Sequence, residues 1–157
     1  IDAAHQRTHE GEMFVVGWRW EGSLSDAIVS LALTVPTGIT AHAIWNIGST
    51  GKAYFDFFHG STVTGGTAMT PQNKNRTSSK ATTVTVIRDG TISAAGTLIM
   101  PDLIGSGEKV HSVGSGGGMD AEFNLNAGEQ YLLRLQNKAG VAADMAMSVQ
   151  FYDTAAA

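Results

Sequence analysis

An all-β, antiparallel fold follows from three features of this sequence of 157 residues. Apolar residues recur at alternate positions in eight or nine short runs, the period of a strand with one face buried. Gly-rich and Pro-Gly turns punctuate those runs. No stretch carries an apolar stripe at helical spacing for longer than a turn. Short strands with such turns define a sandwich, jelly roll or barrel, and the pattern alone leaves these open. The Cys–Trp–Cys signature of true immunoglobulin domains is absent, since the chain has no Cys.

In chain order, residues 1–11 are polar and carry two of the five His, as an N-terminal arm would. Glu12 to Trp20 reads as the first strand, with Phe14, Val16, Trp18 and Trp20 on its apolar face. Ala27 to Val35 places Val29, Leu31, Leu33 and Val35 on one face. Pro36-Thr37-Gly38 is a turn signal. Ile39 to Ile47 then repeats the alternation through Ala41, Ala43 and Trp45, so these two runs predict an antiparallel hairpin. Gly48 to Gly51 turns the chain into the aromatic strand Tyr54, Phe55, Phe57, Phe58.

From Gly60 to Arg76 the chain is expected to be an irregular, donor-rich excursion ending in Asn73, Lys74, Asn75 and Arg76. Ala81 to Arg88 is a Thr/Val strand, and Gly96 to Met100 is a short one before Pro101. Ile104 to Met119 reads as loop, and Ala121 to Leu125 as a short edge strand. Gln130 to Asn137 puts Tyr131, Leu133 and Leu135 on one face. Asp144 to Tyr152 closes the fold with Met145, Met147, Val149 and Phe151. The expected core is Val29, Leu31, Leu33, Ala43, Trp45, Phe55, Leu133, Leu135, Val149 and Phe151. The domain divides into an arm (1–11), a β-sandwich (12–153) and a tail (154–157).

Composition narrows the function. A single domain of this length buries roughly 70% of its unfolded surface and needs no disulfide or metal to fold. The absence of Cys removes thiol nucleophiles and cysteine zinc sites. A formal net charge of -4 does not suit a duplex nucleic-acid binder. The one basic run, Lys74, Arg76, Lys80 and Arg88 with no acid from Phe57 to Arg88, reads as a solvated loop or a docking patch for an acidic partner. No window approaches the ~20 apolar residues of a membrane-spanning helix.

Candidate chemistry is sparse. His5 and His9 are four apart, a spacing that serves a metal only on a helix. Gly11 and the polar flanks speak for an arm instead, so no metal and no cofactor are expected. His42 and His59 have no nucleophile or carboxylate paired with them by motif. Gly114-Ser115-Gly116-Gly117-Gly118 lacks the Lys-Ser/Thr and the helix of a phosphate loop. Asn75-Arg76-Thr77 is a glycosylation sequon, relevant only to a eukaryotic secreted protein. Trp18, Trp20 and Trp45 fill a core more readily than they line a sugar site.

The run DFFHGSTVTGGTAMTPQNKNR, from Asp56 to Arg76, resembles a pattern in head decoration (cement) proteins of tailed bacteriophages. There an apolar strand is followed by G-S-x-V-x-G-G-T-x-x-x-P-x-N-x-N-R. The start, from Ile1-Asp2 through His5 and His9-Glu10-Gly11 to Phe14, is similar too. So is the end, Gly128 to Tyr152, read as G-x-x-Y-L-L-R-L-x-N and a last strand closing on Phe151-Tyr152. The likeness covers most of the chain and is patchy from Pro101 to Gly118.

The resemblance implies a jelly-roll-like antiparallel β-sandwich with an N-terminal arm. It also implies a non-catalytic virion protein that binds the outside of a capsid and stabilises it. Its partners would be the major capsid protein and itself, as a homotrimer, with neither nucleic acid nor membrane. It would assemble in the host cytoplasm and reside on the capsid exterior. Ile1, Asp2, His5, Arg7, His9, Asn73, Asn75 and Arg76 are the expected capsid or subunit contacts. The alternative is a carbohydrate-binding β-sandwich module on a virion or cell surface.

Overall fold

A computed structural model describes residues 3–105 and 122–155. Ile1, Asp2 and the Gly114–Gly118 loop lie outside the described residues. The elements are α1 (Ala3–His9), β1 (Met13–Ser23), β2 (Ile28–Thr34), β3 (Ile39–Ser49), β4 (Ala53–His59), β5 (Thr62–Thr64), β6 (Thr67–Met69) and β7 (Gln72–Asn73). They continue with β8 (Thr85–Arg88), β9 (Thr91–Ala94), β10 (Thr97–Ile104), β11 (Phe123–Leu125), β12 (Gln130–Asn137) and β13 (Ala143–Ala155).

Two antiparallel sheets face one another. Sheet I runs β11-β3-β13-β1-β7 and sheet II runs β10-β4-β12-β2-β8-β6. A separate ribbon pairs β5 with β9. Set aside the short strands β5 to β9, and eight strands remain. In chain order they lie 6-3-8-1 in one sheet and 5-4-7-2 in the other. That alternation between sheets is a jelly roll, so the fold is the expected all-β sandwich.

The hairpin expected from Ala27–Val35 and Ile39–Ile47 is not formed. β2 pairs with β12 and β8, whereas β3 pairs with β13 and β11. Between them the chain crosses from sheet II to sheet I through Val35, Pro36, Thr37 and Gly38, with Val35 fully buried and Gly38 at φ 89. Period two reports which side chains face the core. A hairpin in one sheet and a crossing between two sheets satisfy it equally.

All ten expected core residues are buried. Trp45 sits at the centre, stacked on Phe123 with ring centroids 4.8 Å apart and tilted against Phe57 at 4.4 Å. Of the apolar face read on β1, Phe14 and Val16 are buried, Trp20 is half-buried and Trp18 is exposed. A second, smaller core lies outside sheet II. The β5–β9 ribbon lays Val63 and Ile92 over Ala32, Phe58 and Leu132. This is why Leu132 is buried although it points away from Leu133.

Three further segments differ from expectation. The excursion after Gly60 is partly strand, supplying β5, β6 and β7. β10 continues through Pro101 to Ile104, which an edge strand tolerates because its outer side needs no ladder donor. The arm is a helix of 7 residues. It ends in a Schellman motif: Glu12 N–H donates to Arg7 O at 2.8 Å and Gly11 N–H to Thr8 O at 3.1 Å. Gly11 has φ 73 there, and a Cβ at that position would stand 2.5 Å from Ser78 Oγ.

Candidate interaction surfaces

The sandwich has two unlike ends. At the first, β1 and β12 begin and β4 and β13 finish; α1 covers sheet I and the β5–β9 ribbon covers sheet II. Here the arm and the excursion meet. The buried Asn73 side chain donates to Gly11 O at 2.7 Å and Lys80 O at 3.2 Å, and accepts from Asn75 N–H. Asn75 Nδ2 donates to His9 O at 3.0 Å, and Lys80 Nζ to Glu10 O at 2.8 Å. Three carbonyls at the C-terminus of α1 thus find donors from one segment.

The expected contact residues fall here as follows. His5 and His9 are exposed on α1, with their Nε2 atoms 2.9 Å apart. Arg7 bonds Glu12 and lies over the Tyr152 ring. Arg76 is exposed and donates to Gln72 Oε1 and Asn73 O. Ile1 and Asp2 lie outside the described residues. Folding therefore joins the arm and the excursion into one surface. Much of its polar capacity is spent inside the chain, so the arm docks on its own sheet.

The basic run is split: Lys74, Arg76 and Lys80 stay at the α1 end, and Arg88 lies apart from them. Lys74 bonds Gln150, Lys80 reaches α1, and Arg88 lies 3.8 Å over the Trp18 ring on the side of the molecule where β1 ends. Nor are His42 and His59 without carboxylates. His42 Nδ1 is 2.8 Å from Glu122 Oε1, and Tyr152 O–H donates to the same oxygen at 2.9 Å. His59 Nδ1 is 3.4 Å from Glu129 Oε2, which also accepts from Tyr131 O–H. These pairs are 80 and 70 positions apart, beyond any motif.

Each pair orients an imidazole, but neither supplies an activated nucleophile. The Tyr152 phenol is pushed up to about 12 by burial, and then by its bond to the Glu122 carboxylate and that group's charge. It stays protonated at neutral pH. Burial likewise raises Tyr131.

Among the described residues, no helix or ribbon covers the second end. The loops after β1, β3 and β12 are tied together there. Asn137, fully buried, donates through Nδ2 to Ser23 O, Leu24 O and Val141 O, and its Oδ1 accepts from Ala139 N–H. Gly22 N–H donates to Asp144 Oδ1, Thr50 N–H to Asp144 O, and Lys138 N–H to Lys52 O. Fixed by these bonds, Leu24 is 72% exposed and Val141 67%.

Ile28, Tyr54 and Leu103 are exposed in one transverse row on the outer face of sheet II, because Tyr54 pairs with Leu103 and with Gln136, which pairs with Ile28. Trp18 lies on the same half. Only Leu98 and Ile99, of the large apolar side chains exposed among the described residues, lie nearer the capped end. On the opposite side of the sandwich, the outer face of sheet I offers a shallow trough floored by Gly17, Gly48, Ala146 and Ser148.

The charges on this half are mixed: Arg19 pairs with Glu21 and Lys138 with Asp26. Apart from Trp18, which period two placed on the apolar face of β1, the apolar residues of this surface come from loops and strand ends, where no period or motif marks them. The sequence matches no family model and no curated protein.

Proposed function

We propose that this chain is a structural virion protein that binds the exterior of a tailed-phage capsid and stabilises it, without catalysing a reaction. The partner is taken from the sequence resemblance to head decoration proteins. The observation that carries the reading is an apolar end that no other described element covers: Leu24 and Val141, in loops bonded to the buried Asn137, beside Ile28, Tyr54 and Leu103 on strand ends. Aromatic and aliphatic anchors that are pre-ordered before binding lose little entropy on association, which is what a protein–protein contact needs. A stable contact of this kind buries on the order of 1,200–2,000 Å². Repetition over a lattice multiplies it by avidity. Self-association as a homotrimer belongs to the same proposal, and sedimentation at tens of micromolar tests it.

The carbohydrate-binding alternative draws less support. Trp45 is inside the core and one face of Trp18 is taken by Arg88. Tyr54 is flanked by the ammonium groups of Lys52 and Lys138.

Decoration of emptied heads tests the proposal. The purified chain should bind at a copy number that is a simple fraction of the major capsid protein, and should co-purify with intact virions. Absence from virions together with no binding to heads overturns it. Two variants then locate the contact: a chain starting at Glu12, and the double substitution Leu24→Ser, Val141→Ser.

A further inference from the structure

We propose that the outer edge of β1 at Gly17 and Arg19 is a strand-addition site, taking an extended segment of a partner protein whose carboxylate side chain reaches Arg88. The backbone phase identifies the edge. Lys74 N–H donates to Met13 O at 2.8 Å and Val15 is paired with Gln72, so the odd-numbered residues here turn their backbone groups away from β13. Gly17 and Arg19 continue that phase. Among the described residues no partner meets their N–H and C=O groups, because β7 lines β1 only at Phe14 and Val15. The chain leaves this edge at Pro71 and crosses to β6 in sheet II. An edge left open in this way can take another strand through its backbone.

The side chains beside the edge define what that strand must carry. Its residues alternate between the two faces as those of β1 do. The residue opposite Trp18 projects inward, where the Arg88 guanidinium lies 3.8 Å over the Trp18 ring. That guanidinium has no ion-pair or hydrogen-bond partner among the described residues, and its buried Nε has none. The neighbouring Asp89 carboxylate is committed elsewhere: Oδ2 accepts from Trp20 Nε1 at 2.7 Å and Oδ1 from Ser30 N–H at 3.1 Å. A guanidinium keeps its charge and presents a planar fork that a carboxylate matches; stacking on an indole holds the fork in place. The inward position therefore selects an acid. The residue opposite Gly17 projects outward onto the trough of Gly17, Gly48, Ala146 and Ser148, which suits an apolar side chain.

The edge fits a lone segment better than a second copy of this chain. Sheet II reaches further on this side, with β8 and β6 beyond β2, whereas sheet I has only the two residues of β7 beyond β1. Two copies joined at β1 would bring both overhangs into one space; a single extended segment meets one. The inference does not depend on the partner being a capsid.

A capped peptide in which valine alternates with threonine, with glutamate at the central threonine position, tests this on the full chain. Saturating peptide should slow hydrogen exchange at the Gly17 and Arg19 amides at least about tenfold. A peptide with glutamine in place of glutamate should bind at least about fivefold more weakly, and Arg88→Gln should abolish that preference. Arg19→Pro removes only an outward N–H, so it should keep the β circular dichroism and lose peptide binding. Unslowed exchange, equal binding of the two peptides by the wild-type chain, or undiminished binding by folded Arg19→Pro would each overturn the inference. So would concentration-dependent protection of Gly17 and Arg19 without peptide, which would make a second copy the occupant. Peptide binding without decoration of heads would instead remove the capsid reading and leave this one standing.

Discussion

The two ends of the sandwich use the same device for opposite results. Each is organised by one buried asparagine whose amide bonds the backbone of distant segments: Asn73 at the α1 end and Asn137 at the other. Asn73 draws in a helix and a polar excursion, and so covers sheet I. Asn137 ties the loops after β1 and β12 to each other and leaves Leu24 and Val141 outside. A side-chain amide suits both tasks because it offers two donors and an acceptor in a fixed plane. The difference teaches that rigidity and cover are separate properties. The end left open among the described residues is itself closely hydrogen-bonded, so its exposed Leu24 and Val141 belong to bonded loops.

Stability measurements at and between the two ends separate rigidity from cover. The reference lies midway between the ends, where Leu133 is buried in the shared core. Leu133→Ala should destabilise by about 2–5 kcal/mol in urea unfolding; a loss well under 1 kcal/mol would mean that the sheets do not close on it. Next, Asn137→Ala should lower stability by about 2–4 kcal/mol, since it strands three carbonyls and an N–H. Asn73→Ala should lose less, about 1–2 kcal/mol, because it sits under a short helix that solvent reaches more easily. Equal losses would remove the distinction drawn between the two ends.

The α1 end should also be the alkali-sensitive one through Tyr152. Its folded pKa of about 12 lies above the ordinary 10, so the contribution is fully present below pH 10 and is lost as pH rises towards about 12. The wild-type chain should therefore lose more stability between pH 9 and pH 11.5 than Tyr152→Phe does. Identical pH profiles would show that the phenol is not held as described.

The smallest effect on stability is expected at the opposite end. Leu24→Ser with Val141→Ser should shift stability by no more than about 0.5 kcal/mol, yet weaken binding to emptied heads. Unchanged binding there, with binding lost in a chain starting at Glu12, would move the contact to α1 and Asn75.

Much of the interior was legible in the sequence because alternation is a local property. The phases of β2, β3, β12 and β13 predicted which side chains would be buried, and Leu125 appeared as part of an edge strand. The helix was not legible. AAHQRTHEG has no apolar stripe, and only the Gly11 stop signal was there to read. Of the expected contact residues, those described all gather at the α1 end, a juxtaposition that spacing alone did not reveal. The carboxylate partners of His42 and His59, and the cluster of Leu24 and Val141 at one end, had no signal in any single window.

By itself the sequence determined that the chain is all β, which residues face the core, and that no thiol chemistry is available. Tertiary structure decided which strands are neighbours, sending β2 and β3 to opposite sheets where the pattern suggested a hairpin. It also decided what the ends are. Leu24 and Val141 share an end because both carbonyls accept from Asn137, which is 113 positions from the first and 4 from the second. A period-two pattern is set by each residue's own neighbours in the chain. Pairing, crossing and cover are set by contacts between segments far apart in it, and those exist only once the chain has closed.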